Sequence, residues 1–247
     1  MSLQCFSRIL LRRSLAVRIR LTRLRGSPLA RTLVVTESLY SMDGDVADLA
    51  GIAALCRRHA AALVVDEAHA VGALGPEGRG LCAEAGVVPD VVIGTFGKAL
   101  GSFGAFAATT NPIAELLWNR ARPFVFSTAP PSSIPAASLA AIEIVRGTDG
   151  LDRRRRLASH ARRFRELVPH AGGARDSAIA PVRVGDDRKV MRFTAQLLEE
   201  GLFVQGIRPP TVPDGTARLR VSLSAGHTAQ HIETASLAIN NAMRHEV

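Results

Sequence analysis

The sequence predicts an α/β protein, in which a mostly parallel sheet with interleaved helices is followed by a smaller α+β unit. Three observations carry that expectation. From residue 32, short β-branched runs alternate with helical stretches, the pattern of βαβ units. Two of these runs lead to the polar residues Asp66 and Thr95, and carboxyl ends of parallel strands are where such sheets hold their chemistry. Beyond residue 126 longer helical spacing takes over before short strands return.

Taken in order, residues 32–36 (TLVVT) read as a buried strand, and residues 48–61 place apolar side chains at helical spacing behind an aspartate. Residues 63–65 form the next strand and end on Asp66; residues 91–93 form a third, with turn glycines after it. Helices are expected over 131–145 and 152–167, the second carrying the run Arg153, Arg154, Arg155, Arg156, read as a solvated face. A strand over 179–184, a helix over 189–200, strands over 202–205 and 218–223, and a helix from 228 complete the chain. The expected organisation is a large unit over 32–146 and a small unit over 147–247, with no internal repeat.

With 47% hydrophobic and 21% charged residues in 247, the chain is too apolar to be disordered and long enough to bury a core. Cys5, Cys56 and Cys82 are too few for a disulfide scaffold and point to a reducing, cytoplasmic setting. No uninterrupted apolar run is long enough to span a membrane. The net charge of +9 hints at an acidic partner, yet eight arginines and no acid fall within residues 1–31, leaving +1 for the rest. Any electrostatic attraction to nucleic acid or lipid therefore rests on the first 31 residues. That stretch has the composition of an acid-poor targeting segment, and equally of out-of-frame translation of a GC-rich gene, which is the favoured reading.

Only two lysines, Lys98 and Lys189, stand against 29 arginines. Lys189 follows two aspartates and reads as a solvated helix start. Lys98 lies in DVVIGTFGKALGSFG, residues 90–104, with glycines at 94, 97, 101 and 104, which let backbone approach a ligand closely. A phosphate-binding P-loop is excluded, because Val92 and Ala99 stand where it needs glycine and a hydroxyl residue. No histidine or cysteine pair has metal-ligand spacing, and the serine-elbow motif is missing. The segment LVVDEAH, residues 63–69, supplies an acid at a strand end and a histidine three residues on. Alone, Asp66 is as well read as a turn former and His69 as a structural histidine. Together with Lys98 they suit pyridoxal 5'-phosphate (PLP), which needs an amine to attach it, a carboxylate at its pyridine nitrogen, and donors for its oxygens.

TESLYSMDGD (36–45), DEAH (66–69), GPEGRG (75–80), TFGK (95–98), FSTAPP (126–131) and IRPPTVPDGTARLR (207–220) resemble, in order and spacing, the α-oxoamine synthases of PLP fold type I. The resemblance runs from residue 32 to about 242 and does not include 1–31, so the large PLP-binding unit is expected to be incomplete: the family's stacking histidine and phosphate-gripping glycine loop are not matched. It implies that Lys98 attaches the cofactor and moves the proton at the substrate α-carbon, that Asp66 pairs with the pyridinium nitrogen, and that His69 and Ser41 contact the ring-oxygen region. It further implies that Thr95 binds near the phosphate, that Thr128 reaches the phosphate across a homodimer interface, that Thr211 lines the acyl site, and that Arg220 clamps the amino-acid carboxylate with its two parallel donors. The implied reaction is decarboxylative condensation of L-alanine with a pimeloyl thioester on CoA or acyl carrier protein; the alternatives are another amino acid or acyl donor, or an inactive remnant.

Overall fold

The computed structural model describes residues 7–10 and 32–244. It contains two compact units. The first comprises the described residues through Leu39 together with Ala47–Leu151, and the second comprises Tyr40–Val46 with the residues from Asp152 onward. The division thus falls five residues past position 146, and a short early segment is assigned to the later unit.

The first unit is built on a five-stranded sheet. Strands β1 (Ser7–Leu10), β2 (Thr32–Glu37), β3 (Ala62–Asp66) and β4 (Val91–Thr95) are parallel neighbours in that order, and β5 (Ala105–Thr109) closes the row antiparallel to β4. β1 falls inside the arginine-rich stretch that composition sets apart. Along β2 and β3, Val34, Thr36, Leu63 and Val65 are buried and alternate with half-buried neighbours, as a strand's period of two requires. Helix α1 (Leu49–Arg58) buries Leu49, Ile52, Ala53 and Cys56, one stripe at helical spacing. The Asp48 carboxylate caps it by accepting from the Gly51 N–H at 2.9 Å, a contact worth about 1 kcal/mol, while Arg57 and Arg58 occupy its last turn, where cations are favoured.

Helices α2 (Leu81–Glu84), α3 (Asn111–Arg120), α4 (Arg122–Val125) and α5 (Ser133–Arg146) complete the unit. β5 is exposed at Ala105, Ala107 and Ala108, and Phe103, Trp118, Phe124, Phe126, Leu139 and Ile144 are exposed nearby in sequence. The strand at 105–109 is not among those the sequence predicts; three of its five residues are alanine, a weak strand former, and pairing with β4 makes it a strand.

Helix α6 (Thr148–Leu167) leads into the second unit, where β6 (Ile179–Gly185), β8 (Ala217–Ser222) and β7 (Gln205–Ile207) form an antiparallel sheet in the order β6, β8, β7. β7 begins where the expected strand over 202–205 ends. Helix α7 (Asp187–Glu199), capped by the Asp186 carboxylate on the Lys189 N–H at 2.8 Å, buries Val190, Phe193 and Leu197. Helix α8 (Ala229–Arg244) buries Ile232 and Ile239. Phe164, Val168, Ala180, Val182 and Leu219 complete this core. No described helix is long and apolar enough to cross a membrane.

Candidate active site

The predicted residues divide between the two units. In the first, Asp66 ends β3 and Thr95 ends β4, and because these strands are parallel neighbours with Asp66 opposite Ile93, both residues stand at the same edge of the sheet. Lys98 lies in the loop that turns the chain from β4 into the antiparallel β5. Short hydrogen bonds close that loop on itself: Phe96 N–H donates to Gly104 O at 2.9 Å, Ser102 N–H to Phe96 O at 2.8 Å and Gly101 N–H to Lys98 O at 3.0 Å. The Thr95 hydroxyl donates to Gly104 O at 2.9 Å and accepts from Gly97 N–H at 3.1 Å. Its proton is thus committed to shaping the lysine loop. Ser102 ties the far side of the loop to α5, its Oγ lying 2.9 Å from Ser138 Oγ. Gly94 is required beneath it, since a Cβ there would meet Phe106 Cζ at 2.2 Å.

Asp66 is half-buried, and its Oδ1 accepts from Ala68 N–H at 2.8 Å. Oδ2 makes no hydrogen bond among the described residues, which leaves an acceptor for a ligand N–H. His69 is half-buried in the turn that follows, and Lys98 is exposed. Thr128 is exposed between α4 and α5, and its side chain makes no hydrogen bond among the described residues.

In the second unit, Arg220 on β8 donates from Nε to the Ser41 carbonyl at 2.7 Å and from Nη1 to Ser222 Oγ at 3.0 Å. It therefore holds the Tyr40–Val46 segment with part of the fork that would grip a carboxylate. Burial lowers the pKa of its guanidinium, which stays charged because an arginine starts so high. Thr211 is exposed in the turn before β8, its N–H donating to Arg208 O at 3.1 Å. Ser41 and Arg220 are thus brought together, whereas Thr211 contacts neither by a hydrogen bond.

Three residues that sequence reasoning passed over organise these groups. Arg218, 5% exposed, pairs with the Asp43 carboxylate and clamps the same Tyr40–Val46 segment. Arg165 collects the carbonyls of Ala161, Gly172, Arg175, Ser177 and Ile179 at 2.9–3.5 Å. Glu67, 1% exposed, accepts from Leu81 N–H at 2.9 Å and Cys82 N–H at 2.6 Å. Only Glu67 carried a signal, being an acid directly after a strand-end acid. The thiol of Cys56 is pushed up to about 11, chiefly by burial, and that of Cys82 is pushed up by burial and by Glu67. Both are protonated at neutral pH, so neither is a nucleophile. Among the described residues no group of three or more histidines, cysteines and acids could hold a metal ion.

An amine in the closed loop after β4 and, at the end of the neighbouring strand β3, a carboxylate with one unused oxygen fit the donor set that PLP demands. The comparisons agree. Residues 16–239 match the aminotransferase class I and II family, so the match begins inside the arginine-rich stretch. An 8-amino-7-oxononanoate synthase of Pelobacter propionicus is 48% identical over 216 residues, covering 85% of this chain and 55% of the relative. One from Anaeromyxobacter dehalogenans is 49% identical over 208 residues, covering 82% and 52%. The chain spans about half the length of the curated relatives it matches. Among solved structures, a serine palmitoyltransferase of Sphingomonas wittichii superposes with a TM-score of 0.87 at 34% identity, covering 95% of this chain and 59% of the other. An 8-amino-7-oxononanoate synthase of Francisella tularensis gives 0.76 at 28%, covering 92% and 67%. A structure of SPT with PLP gives 0.86 at 34%, covering 94% and 59%. The α/β architecture with a small α+β unit is therefore the fold of this family.

Proposed function

Because the chain belongs to the aminotransferase class I and II family, we propose that it carries the PLP-binding lysine and carboxylate of an 8-amino-7-oxononanoate synthase. Such an enzyme condenses L-alanine with pimeloyl-CoA, or with pimeloyl acyl carrier protein, and releases CO2 and the free thiol carrier in biotin biosynthesis. The reading rests above all on Lys98 in its closed loop after β4, with Asp66 and its unused Oδ2 at the end of the neighbouring strand β3. The names of the relatives at 48–49% identity support it.

When bound, PLP supplies an electron sink for the pair left behind as a substrate α-proton departs. Asp66 keeps a proton on the ring nitrogen, where a neighbouring carboxylate favours the charged form. Lys98 supplies the attaching amine and then accepts and returns the α-proton. His69 and Ser41 serve the ring oxygen, Thr95 holds the lysine loop near the phosphate, Thr211 borders the acyl chain, and Arg220 turns its outer nitrogens to the amino-acid carboxylate. The working assembly is a cytoplasmic homodimer in which Thr128 serves the phosphate of the partner subunit.

Incubation with PLP should give a visible absorption band that is lost in Lys98→Ala, and mass spectrometry should detect 8-amino-7-oxononanoate from L-alanine and pimeloyl-CoA. Protein that binds PLP but forms no product would restrict the reading to cofactor binding. Protein that stays colourless would favour a non-catalytic remnant.

A further inference from the structure

We propose that Glu67 is the positioning residue for Lys98, an assignment that rests on the reading of Lys98 as the cofactor lysine. Every polar group of Glu67 is engaged. Its N–H donates to Ile93 O on β4 at 2.7 Å, and its carbonyl accepts from Ala70 N–H and Val71 N–H, both at 2.9 Å, which fixes the turn carrying His69. Its carboxylate holds the first two amides of α2, those of Leu81 and Cys82.

Between these two anchors runs the loop 71–80, closed by Gly72 N–H to Gly78 O at 2.8 Å and Gly80 N–H to Leu74 O at 3.0 Å. The loop meets the lysine loop at Gly72. A Cβ on Gly72 would stand 2.9 Å from Ala99 Cβ and 3.9 Å from Leu100 Cδ2, the two residues after Lys98. Gly80, at φ +89°, leaves room for the carboxylate, since a Cβ there would meet Glu67 Oε2 at 2.2 Å. One buried carboxylate thus joins the Asp66–His69 turn, the glycine-rich loop and, through Gly72 against Ala99, the backbone beside Lys98. Glutamine at this position keeps the shape but replaces one acceptor oxygen with an NH2 that faces a backbone N–H, so one of the two amide contacts must break.

The scarcity of lysine supplies the test. Trace acetylation of the full chain by acetic anhydride, read by mass spectrometry from neutral to alkaline pH, reports Lys98 against Lys189 as an internal reference. In Glu67→Gln the Lys98/Lys189 ratio should change by about tenfold, the equilibrium equivalent of one lost charge-assisted hydrogen bond, and the pH midpoint of Lys98 should move while that of Lys189 stays. Glu67→Asp, with a shorter reach, should move both in the same direction. A lowered melting temperature with an unchanged ratio and midpoint in both variants would make Glu67 a stability residue only and overturn the proposal. The readout needs no cofactor. If the wild type stays colourless with PLP, the functional reading fails while the ratio still decides the role of Glu67.

Discussion

At the residue scale, Asp66 and Arg218 show two fates of a polar side chain on a strand. Asp66 uses one carboxylate oxygen locally and leaves the other unengaged, so its charge can be removed with little structural consequence. Asp66→Asn retains an acceptor for Ala68 N–H and should melt within a degree or two of the wild type, while turnover of L-alanine falls by about 100-fold or more, the scale of a lost proton-holding group. Thermal unfolding and product assay on the same sample check both halves; a large loss of stability would show that the carboxylate is structural. Arg218, in contrast, is buried and pairs with Asp43, so breaking the pair costs stability.

The same pair marks the limit of what the sequence discloses. Asp66, His69 and Lys98 were legible because strand-end and loop positions follow from local pattern. Arg218 alternates with Arg220 along RLR and looks like its equal, yet one lies buried on Asp43 and the other bonds Ser41 and Ser222. The difference is made by a segment some 175 residues away, which no local period encodes.

At the element scale, α1 and α7 were predictable because each combines a buried stripe with an aspartate cap. β5 was not, because an alanine-rich run becomes a strand only through its partner. The start of α8 holds a less expected device. Thr228 Oγ1 accepts from His231 N–H at 3.1 Å, while His231 Nδ1 accepts from Thr228 N–H at 3.3 Å, a reciprocal cap with histidine in the place usually held by glutamate. Just before it, His227 Nδ1 accepts from Ser224 N–H at 3.2 Å. The His227 imidazole must be neutral to accept.

Burial, then His231 on α8 and His160 on α6, lower the pKa of His227 below the usual histidine value of 6.5. The unfolded chain therefore takes up this proton first as pH falls, so the contribution of His227 is complete above pH 6.5 and is lost as pH drops through the folded pKa. Amide exchange measured by NMR should show the Ser224 N–H group losing protection below pH 6.5, ahead of the amides of β8. Equal loss in both places would sink the device.

At the scale of the whole molecule, the two cores are sound but the first unit exposes a broad apolar surface. Trp118, the only tryptophan, is 69% exposed, beside Phe124 at a centroid separation of 4.9 Å. In a dissociated monomer its fluorescence should be that of solvated indole and should be quenched by acrylamide almost as freely as tryptophan itself. Blue-shifted, protected emission would mean that this surface is covered in solution, as contiguous apolar patches commonly are by a partner.

The placement of Tyr40–Val46 in the later unit reaches beyond static architecture into the order of synthesis. Asp43 leaves the ribosome long before Arg218, its partner 175 positions on, and Ser41 waits 179 positions for Arg220. Closing so long a loop costs entropy that no early contact repays. The first unit therefore cannot seal its own interruption while it is being made, and a nascent chain halted before β6 would hold a finished strand β2 followed by a segment whose partners Arg218 and Arg220 are not yet made.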